Sequence, residues 1–306
     1  MIKIKVFGVG GAGGNIVSQI ASEKIRGVEF LVANTDAQAL SKLKVDKKIR
    51  IGKKTTQGLG TGMNPEIGKE SAKESEEEIK QAISDADLLI IVAGLGGGTG
   101  TGASPVVAEI AKKQKKLVFS LVTLPFSFEG EYRKKVAQEG LEELKKRSDT
   151  VLVVNNERLL EGLDKKVSFL KAFQECDALL KEIVKAISDL ILDTGIISTN
   201  FADLKAILEN GKTAFFGKGK AEGEKAAQKA VGMAFNSPFL ESSIKGSKGV
   251  LLNITGGKGM SLTDIQEAVD LVSKEIEKTA KIIFGAFISN HLKEKEIQVT
   301  IIATGF

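Results

Sequence analysis

Two glycine clusters, each following an apolar run and leading into a helical pattern, offer the most chemistry in this 306-residue chain. The first is Gly8-Val9-Gly10-Gly11-Ala12-Gly13-Gly14-Asn15, in which Gly8, Gly10 and Gly13 match the spacing G-x-G-x-x-G. Glycine lets the backbone approach a phosphate and aim N–H groups at it, and the start of the next helix adds positive potential. Taken alone, this cluster leaves a dinucleotide site and an unliganded tight turn both open. The second, Gly96-Gly97-Gly98-Thr99-Gly100-Thr101-Gly102, places five glycines in seven residues. Each costs about 0.5–1 kcal/mol of backbone entropy, a cost that loop packing is not expected to require. No Gly-Lys-Ser/Thr follows, so this is not a Walker A loop. Side by side at strand ends, the clusters and their two threonine hydroxyls fit a triphosphate held from two sides. A dinucleotide enzyme needs only one such turn. An NAD-dependent oxidoreductase, the second reading, accounts for Gly8–Gly13 but leaves Gly96–Gly102 unexplained, and no hydride-transfer partner stands near the lone His291.

Composition excludes other chemistries. One histidine and one cysteine, Cys176, remove the common zinc sites and any internal disulfide, leave little material for a Ser-His-Asp triad or a Cys-His pair, and suit a reducing compartment. The 44 Lys and Arg against 39 Asp and Glu leave a charge of +5, with both signs interspersed. With no Trp and one Tyr, neither the charge pattern nor base stacking indicates a nucleic-acid partner. Lys112–Lys116 reads as a helix end and Glu74–Glu78 as a solvated helix face. The N-terminal MIKIKVFGVGG lacks the charge-then-apolar order of a signal peptide, and no apolar run approaches the ~18 residues of a membrane span. A cytoplasmic protein that does not insert into membranes is expected.

The elements that must position the clusters alternate. Strand patterns at Ile2–Phe7, Val28–Asn34, Asp87–Gly94, Leu117–Pro125 and Thr150–Asn156 are separated by helical or loop stretches. The separating stretches include one charged helix, KESAKESEEEIKQAI, and a long loop holding Gly58–Gly68. This rhythm predicts an α/β fold, a parallel sheet with helices on both faces. Val167–Asp193 keeps apolar residues at helical spacing without Gly or Pro and reads as one long helix ending at Thr194-Gly195. Two closely spaced strands late in the chain suggest a smaller α+β domain with an antiparallel or mixed sheet. The expected organisation is residues 1–166 for nucleotide binding, 167–198 as connecting helix and start of a catalytic loop, and 199–306 as the second domain.

GGGTGTG at Gly96–Gly102 resembles the signature of the tubulin/FtsZ family of GTPases, in the form used by its bacterial and archaeal cell-division branch. NTDAQAL, GLGTGMNPEIG, PFSFEGEYR, NNERLL, AFQECD, NFADLK and NITGG follow in the family's order over nearly the whole chain. The resemblance implies a GTP-hydrolysing protein, carrying GTP or GDP with Mg²⁺, that assembles head-to-tail with copies of itself into the filaments of the division ring. It implies that Gly10, Gly11, Ala12, Gly13, Gly14 and Asn15 hold phosphates from the first turn, and Gly97, Gly98, Thr99, Gly100 and Thr101 from the second. Asn34 and Asp36 in NTDAQAL join the nucleotide set, Glu129 and Arg133 contact ribose and phosphate, and Asn156 meets guanine. Phe173 would stack on the base and Asp177, four residues on along one helix face, would accept from its N–H groups.

The family places two acids after the central helix, which reach the nucleotide of the next subunit. Here the second is Asp203, and Asn200 stands at the first position. An asparagine can orient water but cannot take its proton, so slowed hydrolysis is the expectation. Family members usually continue into a flexible linker and a peptide for membrane-anchor proteins. This sequence stops at Phe306, which implies a trimmed chain or a different attachment.

Overall fold

The computed structural model describes residues 2–161, 168–192, 195–197, 200–209, 211–237 and 244–306. The chain forms two compact units, Met1–Val184 and Lys185–Phe306.

The first unit carries strands β1 (Ile4–Val9), β2 (Val28–Asn34), β3 (Lys47–Arg50), β4 (Leu88–Gly94), β5 (Leu117–Leu124) and β6 (Thr150–Asn155). They run parallel in the order β3-β2-β1-β4-β5-β6. β1 is buried along its whole length and β4 along all but its last residue, as expected for parallel strands covered on both faces. The cover comes from α1 (Gly10–Ala21), α2 (Ala37–Lys42), α3 (Pro65–Glu74), α4 (Glu76–Ile83), α5 (Gly98–Lys113), α6 (Glu131–Lys145), α7 (Asn156–Glu161) and α8 (Phe169–Leu192), which continues into the second unit. Phe7, Leu89, Ile91, Val107 and Val122 lie in the core between β1, β4, β5 and α5. Strand order reverses between β1 and β4, the position where open α/β sheets leave a crevice beyond the strand C-termini.

The second unit carries α9 (Phe201–Leu208), β7 (Lys212–Glu222), α10 (Ala226–Phe235), β8 (Gly249–Gly256), α11 (Leu262–Glu275), β9 (Lys281–Ile288) and β10 (Glu296–Thr304). Its strands lie in the order β7-β10-β8-β9. The sheet is mixed, but the two late strands are not partners of each other. β10 inserts antiparallel between β7 and β8, and β9 runs parallel along the other edge of β8. Val250, Leu252, Ile254, Ala268, Val299 and Ile301 form its core.

Other sequence expectations are corrected. The charged helix is two, broken at Ser75, because residues there serve the preceding loop. The Ser75 hydroxyl accepts from the Gly52 amide at 3.1 Å, and the Glu74 carboxylate accepts from the amides of Lys54 and Thr55 at 2.8 and 2.9 Å. These amide donors hold the Glu74 carboxyl below its ordinary pKa. The short elements α2 and β3 interrupt the stretch read as loop. Asp203 sits in the first turn of α9 rather than in a loop. The expected helix limits at Val167, Asp193 and Thr194, and the domain start at Thr199, lie outside the described residues. Among the described residues no helix is long and apolar enough to cross a membrane.

Candidate functional site

Each glycine cluster supplies both the turn after its strand and the first turn of the next helix. α1 opens at Gly10, directly after β1, and α5 opens at Gly98, four residues after β4. β1 and β4 pair in register, Gly8 opposite Val92 and Val9 opposite Ala93, so both turns leave the same end of adjacent strands. Neither helix has a side-chain N-cap or an acid in its first turn. Their first N–H groups have no intrahelical partner, and the two positive helix ends meet at one place.

Most of the glycines here are required by packing, contrary to the sequence expectation. A Cβ on Gly10 would stand 2.8 Å from the Gly100 nitrogen, and one on Gly8 2.6 Å from the Gly13 oxygen. Gly13 abuts Val92 of β4, Gly98 the hydroxyl of Thr61, and Gly102 the carbonyl of Pro65 on α3. Gly10 also has φ +75°, a left-handed conformation that favours glycine. Gly11 and Gly97 differ: a Cβ on either would meet nothing within 4 Å. Gly11, Ala12 and Asn15 are exposed and Gly97 partly so, whereas Gly10, Gly13, Gly14, Gly98 and Gly100 are buried. The open face of the site is therefore formed by the backbone at 11, 12 and 97.

The two threonine hydroxyls of the second cluster are engaged by the protein. Thr99 Oγ1 lies 2.7 Å from Thr35 Oγ1, both buried, and Thr101 Oγ1 accepts from the Gly96 amide at 2.9 Å. These bonds hold the turn in shape and leave the backbone donors to meet a ligand. Asn34 is buried at the end of β2, and its Oδ1 accepts from Thr35 N at 2.9 Å and Asp36 N at 3.3 Å. Asp36 caps α2 by accepting from Ala39 N at 2.9 Å.

Beyond β5, Glu129 and Arg133 form an ion pair at 2.6 Å across one helical turn. The other Glu129 oxygen accepts from Phe126 N at 2.9 Å. Arg133 is tied to the second cluster through its backbone, since a Cβ on Gly96 would stand 3.0 Å from its carbonyl oxygen. The Phe173 ring meets Phe126 edge-on with centroids 5.1 Å apart. On the same face of α8, Cys176 donates to Asn156 Oδ1 at 3.4 Å, and the Asp177 carboxylate accepts from Gln19 Nε2 at 2.8 Å. Burial pushes the Asp177 carboxyl above its ordinary pKa, with the Gln19 amide opposing, and pushes the Cys176 thiol up to about 12. A half-buried carboxylate with one amide donor among the described residues can accept more N–H groups.

The first unit thus brings together the glycine turns, Asn34, Glu129, Arg133, Asn156, Phe173 and Asp177. Asn200 and Asp203 belong to the second unit. Asn200 is the N-cap of α9, its Oδ1 accepting from Asp203 N at 2.8 Å, and both side chains are exposed. Sequence reasoning missed Thr35, Gln19 and Glu157, whose carboxylate accepts from Ser127 N at 2.7 Å. Thr35 had a signal, as the polar residue just past the end of β2; Gln19 and Glu157 had none.

A family model described as "Tubulin/FtsZ family, GTPase domain" matches residues 3–164, and one described as "FtsZ family, C-terminal domain" matches residues 212–306. The chain is similar to the empty FtsZ dimer of M. jannaschii, with 46% identity and a TM-score of 0.94, over 100% of this chain and 88% of that one. The fold alone extends to the GDP-bound CetZ1 monomer of Haloferax volcanii, with 21% identity and a TM-score of 0.84, covering 100% of this chain and 94% of that one. It extends likewise to the GTPγS-bound CetZ2 protofilament of that organism, with 22% identity and a TM-score of 0.81, covering 99% and 94%.

Proposed function

Because the chain belongs to the Tubulin/FtsZ family, with a GTPase domain in its first half, we propose that it binds GTP at the paired glycine turns and hydrolyses it between head-to-tail copies of itself. The observation that carries this reading is the meeting of two uncapped helix N-termini at the strand-order reversal, with the half-buried Asp177 carboxylate tied to the first of those helices through Gln19.

In this reading the N–H groups at Gly10–Asn15 and Gly97–Thr101 cradle the phosphates, and the α1 and α5 dipoles offset their charge. Glu129 and Arg133 hold the ribose side. Phe173 covers the base, Asn156 donates to it, and Asp177 accepts from its N1–H and amino group, a donor pair that adenine lacks. Mg²⁺, held by phosphates and water, would neutralise charge developing on the transferred phosphoryl group.

Asn200 and Asp203 of one copy complete the site of the next by orienting the attacking water. A contact of this head-to-tail kind does not close on itself, so it gives an open filament. With asparagine at 200 the water is oriented without a carboxylate to draw its proton, and turnover is slower than with two acids. The setting proposed is the cytoplasmic division ring, with membrane-anchor and division proteins as further partners. Calorimetry with GTP, GDP and NAD tests the binding step: GTP and GDP should bind and NAD should not, and the reverse pattern would support an oxidoreductase.

A further inference from the structure

Asn156 is only 6% exposed, and among the described residues its one side-chain hydrogen bond is the one its Oδ1 accepts from Cys176, 3.4 Å away. Its amide nitrogen donates to nothing there. That nitrogen is not among the buried atoms left without a partner, so it is open to solvent and available to a ligand. Asn156 opens α7 at the C-terminal end of β6, and Cys176 stands on α8 between Phe173 and Asp177. Positions 173, 176 and 177 share one face of α8, and Cys176 stands on the carbonyl side of the Asn156 amide.

We propose that Cys176 is a positioning residue for nucleotide selection, its thiol holding the Asn156 carbonyl so that the amide nitrogen is turned towards the purine. The inference rests on the guanine-site reading above and deepens it. An asparagine amide can rotate by half a turn with little steric change, and the two orientations offer a ligand opposite hydrogen-bond characters. A thiol at this place favours one orientation, because its S–H donates to the oxygen, whereas against the NH₂ group its sulfur can act only as a weak acceptor. Burial and the charge of Asp177 keep the sulfur protonated, so it stays a donor across the physiological range. An alanine at 176 would leave the amide free to present either end. Cys176 does not touch the nucleotide in this arrangement; it acts through Asn156.

The test is GTP affinity of the full chain, by calorimetry, for the wild type, Cys176→Ala and Cys176→Ser, with competition by inorganic tripolyphosphate as a probe of the phosphate turns alone. Loss of one weak neutral hydrogen bond predicts a GTP affinity about five- to tenfold lower in Cys176→Ala. Cys176→Ser should stay within about twofold of wild type, since a hydroxyl donates at least as well. Tripolyphosphate affinity should be the same in all three. Because the chain has a single cysteine, the Raman S–H band reports this bond directly, and it should move to the free-thiol position in Asn156→Ala. Equal GTP binding by wild type and Cys176→Ala overturns the inference alone. So does a matching loss of tripolyphosphate affinity, which would mark a packing role, or an S–H band unmoved in Asn156→Ala. Failure of the wild type to bind GTP overturns the guanine-site reading, and this inference with it.

Discussion

Gly10 and Gly100 lie backbone against backbone: a Cβ on Gly10 would come 2.8 Å from the Gly100 nitrogen, and one on Gly100 2.5 Å from the carbonyl oxygen of Gly94. The two turns are one structure with shared atoms of contact, so a change in either should be felt by both.

Gly100→Ala should therefore destabilise the nucleotide-free chain by about 1–3 kcal/mol, the usual cost of forcing an atom into a packed site. Gly97→Ala should leave the melting temperature nearly unchanged, because its Cβ meets open space and its φ of −95° suits any residue. It should still weaken GTP binding, since the added methyl would lie where the phosphates are proposed to sit. Thermal melts with and without GTP separate the two outcomes. A Gly97→Ala chain that binds GTP as the wild type does would move the phosphates away from that turn.

Asp177 sets a pH dependence. Burial raises its carboxyl above the ordinary carboxylate pKa. In the window between the ordinary value and the raised one, the folded chain holds a proton that the unfolded chain has released. Stability of the nucleotide-free protein therefore falls as pH climbs through that window. GTP needs the charged carboxylate, so its affinity should rise with pH over the same range. Asp177→Asn should remove this dependence and favour xanthosine triphosphate, whose C2 carbonyl can accept from the new amide. Isothermal titration from pH 4 to pH 7 checks both, and a pH dependence unchanged in the variant would exclude Asp177 as its source.

Asn200→Asp should raise phosphate release per subunit and leave the fold intact, since aspartate caps a helix as well as asparagine does. Asn200→Ala should lose the bond to Asp203 N and about 1 kcal/mol of stability. Phosphate release assayed beside thermal melts tells a catalytic effect from a capping one. An unchanged rate in Asn200→Asp would leave residue 200 with its capping role only.

Thr35→Val should cost about 1–2 kcal/mol, because the buried Thr99 hydroxyl loses the partner 2.7 Å away and no solvent replaces it. Denaturant unfolding would measure this, and a variant as stable as the wild type would show that the pair does not hold the second turn.

Much of the first unit was legible because buried parallel strands announce themselves as short apolar runs, as Leu88–Gly94 does, and because glycine clusters at strand ends are rare outside ligand turns. The role of individual glycines was not legible. Gly97 and Gly98 are neighbours of the same type, yet one faces open space and the other the hydroxyl of Thr61, a distinction made by α3 and the loop before it, distant in sequence. The break at Ser75 was hidden because the stretch around it has good helical character; only the loop at Gly52–Thr55 gives Ser75 and Glu74 something better to bond. The separation of β9 from β10 was hidden for a similar reason. The two lie close in sequence, yet β10 is taken up antiparallel between β7 and β8, strands that come earlier in the chain. The α8 face with Phe173, Cys176 and Asp177 was readable as a face from its spacing, but that Cys176 reaches Asn156 was not, since β6 and α8 are joined through residues with no signal for that contact.

The central claim, one GTP gripped by two turns and closed over by a second copy, is tested most directly by sedimentation of the purified chain with GTP, GDP and a slowly hydrolysed GTP analogue, with phosphate release measured in the same tubes. The account predicts pelleted polymer with GTP and more lasting polymer with the analogue, little with GDP, and phosphate released only above the concentration at which polymer forms. A chain that stays in the supernatant with every nucleotide, or releases phosphate at a rate per subunit independent of concentration, would contradict it.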